Sequence, residues 1–533
     1  MLLVLCFPPF NQGWLVWVAL TPLLCAVWFS SGTKPGLRSL ALGYVAGLFF
    51  FTGTFYWLGT LAALYENPLL LSLPVLLALV LSSYFAVWTW MLSQLLAPAA
   101  IRTFPSSLRN LWIGAAGACV WVALEWTRGW LFGGFGWNGL GVALHRDVAM
   151  MQIADITGVW GLTWLVAFIN LMAVIVIRRI VGEFGPVFLK RIRWEFSFSV
   201  ALVVLVFAYG VRALIAGGDK SQLPLRVAAI QPNIPQQEKF DPNFEDRVFA
   251  TLDRLTGLAL LTQPPPQLVI WPEATTPRPM FADAKNYGFV LEQAKRGDFG
   301  LLIGTLDSDP VRGEDYNIAA LFTEQGQTLQ SYRKMHLVPF GEYLPLRPFF
   351  AGFLGELVPG DFTAGLEPAI LDLKRPALRI GALICFEDTL GDLARRSVAK
   401  GAQLLVNITN DGWFATSPAA EQHFANAIFR AIETRRPLVR CGNTGVTGST
   451  DAFGRTVGFE SKRPNLRIPG VLPFLKPFQQ GFVSGEISVP TSNHLTFYTR
   501  FGDWLPIGSS LITGTLLAVA LLRSFKARGR SVP

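Results

Sequence analysis

The chain has 533 residues, of which 51% are hydrophobic and 15% are charged, and its mean hydropathy is +0.40. This composition is too apolar for an ordinary soluble protein and indicates a membrane protein with several spans. It excludes a disordered chain, a collagen-like chain and a small disulfide-stapled domain, and the length leaves room for a sizeable folded domain beside the spans.

The net charge of +9 is distributed unevenly along the chain. Residues 1–217 hold 12 Lys and Arg against 6 Asp and Glu, residues 218–500 hold 29 of each kind, and residues 501–533 hold 4 against 1. The basic excess therefore flanks the apolar segments, as the positive-inside rule predicts for membrane topology. A nucleic-acid-binding surface would need that excess on the folded domain, so we expect no nucleic-acid partner.

Long apolar runs predict seven membrane spans, at residues 14–29, 40–64, 69–97, 111–127, 157–177, 196–216 and 505–522. Residues 1–7 are apolar but much shorter than the roughly 20 residues that cross a bilayer, and we interpret them as the end of a span that begins upstream. The chain is thus expected to comprise a transmembrane bundle (1–217), a folded domain (218–500), and a last span with a basic tail (501–533).

The loops that carry Lys and Arg are expected to be cytoplasmic. Their basic residues are Lys34, Arg38, Arg102, Arg109, Arg178, Arg179, Lys190, Arg191, Arg193, Arg523, Lys526, Arg528 and Arg530. Alternation of the spans then puts the segments 65–68, 128–156 and 218–500 on the other side of the membrane. The charges of the large domain do not oppose this topology, because long domains translocate largely regardless of charge.

Residues 218–500 change in character to short β-like runs separated by Gly, Pro, Asn and Asp, which predicts an α/β domain. The predicted strands lie at 225–231, 267–272, 300–306, 317–322, 328–334, 378–385, 402–409 and 437–441. The apolar periodicity of residues 419–435 predicts a helix.

Three ionisable residues stand at the ends of predicted strands: Glu273, Lys334 and Cys385. Each alone is more often a surface charge or, for the cysteine, a small buried side chain. However, the carboxyl ends of strands are where α/β sheets build active sites, and the flanks WPEA, YRKMHLVPFGEYLP and ICFED are more specific than single residues. A turn into a helix after Cys385 is expected to expose the thiol and lower its pKa.

The cysteines leave two alternatives open for the folded domain. Cys6, Cys25 and Cys119 lie in apolar runs, whereas Cys385 and Cys441 belong to the water-soluble part. The latter two permit one disulfide, and a reduced reactive thiol is equally compatible with the sequence.

With these flanks, the sequence resembles the apolipoprotein N-acyltransferases of bacterial envelopes, whose soluble domain belongs to the nitrilase (carbon-nitrogen hydrolase) superfamily. The resemblance extends over nearly the whole chain and includes EWTRGW at 125–130, QPNIPQ at 231–236, NDGWF at 410–414 and RFGD at 500–503. It implies a membrane α-helical bundle plus an α/β domain, in which a nitrilase-like αββα sandwich is inserted before the last transmembrane helix.

By this resemblance, Glu273 is the general base, Lys334 the electrostatic stabiliser and Cys385 the nucleophile. Glu342 and Glu387 are supporting carboxylates. A carboxylate within reach of a thiol can take its proton and later return it to a leaving group, and a fixed cation can hold a developing oxyanion.

The resemblance also implies that Phe240, Phe386 and Trp413 line the substrate site. The family usually has Tyr where this chain has Phe386, and Trp where it has Phe240, so a hydroxyl-based role at position 386 is not carried over. The segment 340–362 is rich in Phe, Leu and Pro, and it predicts either a lid that touches acyl chains or an ordinary part of the domain core.

The family's reaction moves an acyl chain from a phospholipid, typically phosphatidylethanolamine, to a cysteine thioester, and then to the α-amine of the S-diacylglyceryl cysteine of a lipoprotein. The resemblance thus implies a multi-pass protein of the bacterial inner membrane with its catalytic domain on the periplasmic side. No cofactor is implied, and nothing in the sequence requires more than a monomer.

The remaining polar residues of note give weaker indications. The four histidines His145, His336, His423 and His494 have no HExxH or Cys-x-x-Cys companion, so we expect no metal site. Glu125 and Arg128 are spaced i, i+3 in a predicted span, which fits either a structural pair or a contact to a phospholipid head group.

Two rival functions remain open at this level. A membrane-tethered amidase would use the same site with water as the acceptor. A transporter or a non-catalytic lipid-binding scaffold would also need the spans, although neither repeated halves nor interrupted paired spans are evident.

Overall fold

The computed structural model describes residues 2–29, 35–95, 106–182, 186–218, 221–327, 329–355, 358, 360–457 and 470–529. Lys34, Arg102 and Arg530 of the basic segments, and residues 356, 357 and 359 of the predicted lid, lie outside these ranges. The chain forms two compact units. The first comprises residues 1–59, 69–215 and 503–533, and the second comprises residues 60–68 and 216–502.

The first unit is helical. Its longer helices are Thr21–Phe29, Pro35–Phe55, Leu73–Leu95, Ser107–Arg128, Trp160–Gly182, Pro186–Ala216 and Trp504–Gly529. Short helical turns lie at Leu2–Leu5, Gly13–Trp17, Tyr56–Thr60, Leu61–Leu64, Pro68–Ser72, Leu131–Gly133, Leu140–Leu144, Val148–Met151 and Ala154–Thr157. Within the described ranges, six stretches are long and apolar enough to cross a membrane: Pro35–Leu64, Pro68–Gln94, Ser107–Arg128, Trp160–Ile180, Trp194–Ala216 and Trp504–Leu522.

The predicted first span at 14–29 is wrong as a continuous helix. The structure divides this segment into the 3-10 helix Gly13–Trp17 and the α-helix Thr21–Phe29. The side chain of Asn170 satisfies the interrupted backbone, because its Oδ1 accepts a hydrogen bond from Leu20 N (2.9 Å) and its Nδ2 donates to Val16 O (2.9 Å). A break in a membrane helix is tolerated where another side chain supplies the missing partners.

The second unit contains two sheets. Its strands are β1 Gln222–Gln231, β2 Leu268–Ile270, β3 Gly300–Asp309, β4 Glu314–Phe322, β5 Leu329–Arg333, β6 Ile370–Leu373, β7 Leu378–Ile384, β8 Leu404–Thr409, β9 Leu438–Gly442, β10 Gly448–Thr450 and β11 Gly481–Pro490. One sheet has the order β11-β1-β2-β3-β4-β5 and the other has the order β10-β9-β8-β7-β6. The strands β1, β2 and β3 run parallel, as do β7, β8 and β9.

Alternating side chains build this unit into an αββα sandwich, as the family resemblance implied. Val227 and Ala229 of β1 pack into a core shared by both sheets, whereas Ala228 and Ile230 face an outer layer. The helices Glu245–Leu260 and Ala284–Ala294 supply that layer, and Gly391–Ala399 and the almost wholly buried Ala419–Thr434 contact the second sheet. Shorter helices lie at Gln236–Lys239, Pro242–Phe244, Glu324–Gly326, Arg347–Leu354, Cys385–Thr389, Asp411–Phe414 and Phe497–Phe501.

Candidate active site

Glu273 follows β2 and turns its carboxylate into the protein, where it is 6% exposed. Its Oε1 accepts hydrogen bonds from Asn317 Nδ2 (2.8 Å) and from Lys334 Nζ (3.4 Å). Its Oε2 is buried and has no hydrogen-bond partner within the described part of the chain. One carboxylate oxygen is thus held in place while the other can accept a proton.

Lys334 directly follows β5 and is 1% exposed. Its Nζ lies 2.8 Å from Glu342 Oε1 and 3.4 Å from Glu273 Oε1, and its main-chain N–H donates to Asn317 O (2.8 Å). Burial alone would lower the pKa of Lys334, but the charges of Glu342 and Glu273 outweigh it and hold that pKa above its ordinary value. The side chain is therefore a permanent cation at neutral pH.

Cys385 follows β7 and has a left-handed backbone conformation, with φ of 52°. Few non-glycine residues adopt this region, and such strain is often found where a side chain must point out of a turn. The side chain is half-buried, and its main-chain oxygen accepts hydrogen bonds from Asn407 Nδ2 (3.0 Å) and His423 Nε2 (3.3 Å). The elbow is thus fixed by buried donors on neighbouring elements.

The expectation of a lowered thiol pKa is wrong. Burial raises the pKa of Cys385, the charge of Glu273 raises it further, and the charge of Lys334 opposes both. The segment Cys385–Thr389 is a single 3-10 turn, so a long helix dipole does not act on the sulfur. Because the thiol is protonated at rest, its reaction requires a base, and the carboxylate of Glu273 is among the charges that act on it.

The two supporting carboxylates occupy different positions. Glu342 contacts the cluster directly, since its Oε1 accepts from Lys334 Nζ (2.8 Å) and Asn317 Nδ2 (3.1 Å) and its Oε2 accepts from Val338 N (2.9 Å). Glu387 is fully buried. The Glu387 carboxylate accepts hydrogen bonds from the hydroxyl of Tyr332 and from the main-chain N–H groups of Met335, His336 and Ile384 (2.6–3.0 Å).

Glu387 therefore ties the loop after Lys334 to the turn that carries Cys385. Burial raises the pKa of Glu387 to about 7, although the main-chain donors and Lys334 act in the opposite direction.

The three predicted substrate-contacting aromatic residues have different surroundings. Phe240 is 41% exposed, whereas Phe386 is buried and stacks on His336 with ring centroids 5.7 Å apart. Trp413 is half-buried and stacks on Tyr65, with centroids 6.5 Å apart and planes at 15°. Phe240 and Trp413 are thus accessible to a ligand, and the buried Phe386 supports the elbow from behind.

The predicted lid combines core and surface residues. Leu344 and Val358 are buried, whereas Phe340, Leu346 and Phe349 are 52–77% exposed. The ion pair between Arg347 and Asp361 spans this segment. Part of the segment thus belongs to the domain core, as one alternative predicted, and its exposed apolar side chains leave the lid a prediction.

Sequence reasoning missed two residues of the site. Lys239, at the end of the helix Gln236–Lys239, is 1% exposed and donates from Nζ to the main-chain oxygen of Glu273 (2.8 Å). Asn317 of β4 donates to both Glu273 and Glu342. Lys239 stands in the segment QPNIPQQEK, eight residues after Gln231, and only the fold reveals that it reaches the end of β2.

A fully buried ionic network lies under the elbow, and the sequence analysis did not connect its members. His423 Nε2 is 2.8 Å from Asp388 Oδ1, and His423 Nδ1 is 2.8 Å from Asp411 Oδ1. Arg440 pairs with both carboxylates, at 3.1 Å from Asp411 Oδ2. The charges of two acidic and two basic side chains thus balance one another beside the main chain of Cys385.

The cysteine alternatives are resolved for the described part of the chain, where all five cysteines are free thiols. Cys441 is buried in the core between the sheets, and its Sγ lies 3.2 Å from Ile230 O and 3.3 Å from Ile270 O, so its one S–H has a main-chain acceptor on either side. Burial raises the pKa of Cys441. It is therefore an inert core residue, and Cys385 is the accessible thiol of this unit.

Comparison with known proteins agrees with this architecture. The family model described as apolipoprotein N-acyltransferase N-terminal domain matches residues 1–172, and the carbon-nitrogen hydrolase model matches residues 226–463. The apolipoprotein N-acyltransferase of Geobacter metallireducens is 34% identical over 525 residues, covering 97% of this chain and 93% of that relative. This chain belongs to the apolipoprotein N-acyltransferase family.

Further relatives include the apolipoprotein N-acyltransferase of Methylococcus capsulatus, which is 34% identical over 73% of this chain and 70% of that protein. Among solved structures, Saccharomyces cerevisiae Nit3, a member of the nitrilase superfamily, is 18% identical with a TM-score of 0.37, covering 53% of this chain and 95% of Nit3. An amidase from Nesterenkonia sp. is 17% identical with a TM-score of 0.36, covering 54% and 96% respectively.

Proposed function

We propose that this member of the apolipoprotein N-acyltransferase family transfers an acyl chain from a phospholipid to the α-amine of the S-diacylglyceryl cysteine of a lipoprotein, through a thioester on Cys385. The observation that carries this proposal is the buried cluster in which the Lys334 ammonium lies between two carboxylates while Glu273 Oε2 is unpartnered among the described residues. Both Glu273 and Lys334 act electrostatically on the half-buried thiol of Cys385.

In the first half-reaction, Glu273 Oε2 takes the proton from Cys385 Sγ, and the sulfur forms a bond to the ester carbonyl carbon of the phospholipid. The negative charge that develops on the carbonyl oxygen faces the Lys334 ammonium, which needs no proton transfer to stabilise it. When the ester carbon–oxygen bond breaks, Glu273 returns its proton to the departing oxygen. The products are a lysophospholipid and the acyl thioester of Cys385.

In the second half-reaction, the neutral α-amine of the lipoprotein cysteine attacks the thioester carbon, and Glu273 accepts a proton from the nitrogen. The carbon–nitrogen bond forms, the carbon–sulfur bond breaks, and the thiolate regains its proton from Glu273. Because the acyl group waits on sulfur between two substrates, the scheme requires ping-pong kinetics. Phe240 and Trp413 serve as contacts for the lipid substrates, with the exposed apolar residues of segment 340–362 as a lid.

We further infer that the protein resides in the bacterial inner membrane with the sandwich domain on the periplasmic side, acting as a monomer on phosphatidylethanolamine. The distribution of Lys and Arg between loops supports this orientation. Apolar helices suit a reaction in which donor and acceptor are both lipids at a membrane surface.

The direct test is incubation of the purified full chain with phosphatidylethanolamine and a diacylglyceryl peptide. The expected products are N-acylated peptide and lysophospholipid in equal amounts, and denaturing mass spectrometry without the peptide should show one acyl adduct that Cys385→Ala lacks. Cys441→Ala is the matched control and should retain the adduct. Release of free fatty acid without acylated peptide would favour a hydrolase, and no adduct at all would favour a lipid-binding scaffold.

A further inference from the structure

A side-chain hydrogen bond joins the two segments that carry the accessible aromatic residues of the candidate site. Phe240 follows the helix Gln236–Lys239, and Trp413 lies in the short helix that Asn410 caps. Asn410 Nδ2 donates to Gln236 Oε1 across 2.7 Å. The two partners of this bond stand three residues before Trp413 and four residues before Phe240, so it links the two aromatic residues at their bases.

The Asn410 side chain is buried and is held in one orientation. It is 3% exposed, and its Oδ1 accepts hydrogen bonds from Gly412 N (3.2 Å) and Asn443 Nδ2 (3.0 Å). An exchange of its amide oxygen and nitrogen would set donors against donors here and an acceptor against the oxygen of Gln236. The contact to Gln236 is therefore fixed by the three other partners of the same amide group.

Asn443 anchors the start of the Phe240 segment separately. Its Oδ1 accepts from Ile234 N (3.1 Å), its Nδ2 donates to Ile234 O (2.9 Å), and its main-chain oxygen accepts from Asn233 N (2.8 Å). These contacts do not involve Gln236. Removal of the Asn410–Gln236 bond would therefore loosen one aromatic residue relative to the other and leave this anchor in place.

Both segments border the thiol. The charge of Lys239, in the segment before Phe240, and that of Asp411, in the segment before Trp413, each interact with Cys385. A chain attached to the carbonyl carbon that Cys385 attacks must leave the site past its neighbours. Phe240 and Trp413 are the accessible aromatic side chains of these two neighbouring segments.

We propose that Asn410 is a positioning residue that sets the spacing between Phe240 and Trp413, and that this spacing selects a long hydrocarbon chain at Cys385. Dispersion attraction is steep in distance, and a gap of roughly 0.5–1 Å already removes a quarter to a half of it. A loosened pair of aromatic side chains would thus hold a hydrocarbon chain less well. The choice of a hydrocarbon ligand rests on the proposed function, whereas the contact between Asn410 and Gln236 does not.

The test compares two reagents that alkylate Cys385 in the full chain in detergent, iodoacetamide and N-dodecyl iodoacetamide. With either reagent the deprotonated sulfur forms a thioether and iodide leaves. Peptide mass spectrometry gives the rate constant of each adduct at Cys385, and the measured quantity is the ratio of the long-chain to the short reagent. Asn410→Ala should lower this ratio about fivefold, the usual size of the effect of one neutral hydrogen bond.

Gln236→Ala removes the same contact from its half-buried partner and should lower the ratio by the same factor, so the test does not depend on folding of Asn410→Ala. The double variant should be no lower than either single variant, because the two substitutions remove one shared contact. Gln237→Ala is the matched control, since Gln237 is exposed and is the next residue of the same helix, and it should keep the ratio of the unsubstituted chain.

An unchanged ratio in Gln236→Ala would overturn the proposal. Equal slowing of both reagents would do the same, because it would place the effect of the contact at the thiol or in folding and not at the hydrocarbon chain. Neither result bears on the proposed function, since alkylation of the thiol requires no acyl transfer. Failure of the proposed function would instead appear as absence of N-acylated peptide in the unsubstituted chain.

Discussion

The ammonium group of Lys239 donates a hydrogen bond across 2.8 Å to the main-chain oxygen of Glu273, in a place sealed from solvent. Ala274, the next residue, has a left-handed backbone with φ of 45°, which is strained for any residue with a Cβ. Gly304 allows this turn, because a Cβ there would meet Glu273 Cα at 2.5 Å. Lys239 thus holds the strained turn that aims the candidate base, and we expect it to act as a positioning residue.

Lys239→Met should slow acylation of Cys385 by roughly 10- to 100-fold without unfolding the protein, because it removes the hydrogen bond to the turn and one positive charge near the thiol. Burial lowers the pKa of Lys239 to about 8, so the charge is present below that pH and lost above it. Alkylation of Cys385 by iodoacetamide, followed against pH, should show an inflection near pH 8 that the variant lacks. Lys285→Met, at a lysine with an exposed side chain, is the control and should behave as the unsubstituted chain.

The second prediction concerns Lys334 and Glu342, whose charged atoms lie 2.8 Å apart. Lys334→Met should reduce kcat/KM for transfer by about 10³-fold and Glu342→Gln by about 10²-fold, since both act on the charge that faces the oxyanion. The double variant should be no worse than Lys334→Met alone, because residues that act as a unit are not additive. Multiplicative losses, near 10⁵-fold, would show that the two residues act independently.

The third prediction follows from Glu387, whose carboxylate accepts hydrogen bonds from one hydroxyl and three main-chain N–H groups of the described residues. In Glu387→Gln the amide NH₂ must face one of these donors, so we expect a loss of about 2 kcal/mol in the free energy of unfolding, together with lower activity. A thermal melt in detergent measures the first effect. Glu367→Gln, at a carboxylate with a 78% exposed side chain, should leave the melting temperature unchanged.

The contribution of Glu387 to the stability of the folded protein should depend on pH, and the direction of that dependence follows from its raised pKa. The pKa of Glu387 in the folded protein is about 7, raised by burial above its unfolded value, so the folded state binds more protons between roughly pH 4.5 and 7. The contribution of Glu387 to stability must therefore fall as pH rises through this window. The melting temperature of the unsubstituted chain, relative to Glu387→Gln, should decrease from pH 5 to pH 8, and an increase would contradict the assignment.

The strands found by sequence and those that were missed differ in their place in the sheets. Interior strands such as β2 and β8 are buried on both faces and appear as continuous apolar runs. The three missed strands, β6, β10 and β11, are all edge strands, which need less apolar character because one side is unpaired.

Among the site residues too, those that the sequence predicted differ in position from those that it missed. Glu273, Lys334 and Cys385 stand at strand ends and could be selected by position. Lys239 and Asn317 reach the site from a helix end and from the middle of β4, and this proximity depends on tertiary packing that no local pattern encodes. The seven-span prediction failed at residues 14–29 for a related reason, since the polar partner of that break, Asn170, is about 150 residues away.

The last prediction concerns the buried network beneath the nucleophile elbow. Burial and Arg440 lower the pKa of His423, but Asp388 and Asp411 outweigh them and hold it above its ordinary value. Burial alone would raise the pKa of Asp411, yet Arg440 and His423 lower it to about 2. His423→Gln should remove charge from this network and cost about 3 kcal/mol in the free energy of unfolding, because Asp388 and Asp411 each lose one of their two charged partners while Arg440 remains.

Because its folded pKa is raised, His423 contributes stability that is fully present below its unfolded value of about 6.5 and is lost as pH rises through the folded value. The difference in melting temperature between the unsubstituted chain and His423→Gln should therefore be largest in mild acid and shrink in alkali. His494→Gln, at an exposed histidine, supplies the control. Since His423 Nε2 also lies 3.3 Å from Cys385 O, the variant should slow thioester formation at every pH, and normal acylation by a less stable protein would restrict His423 to a structural role.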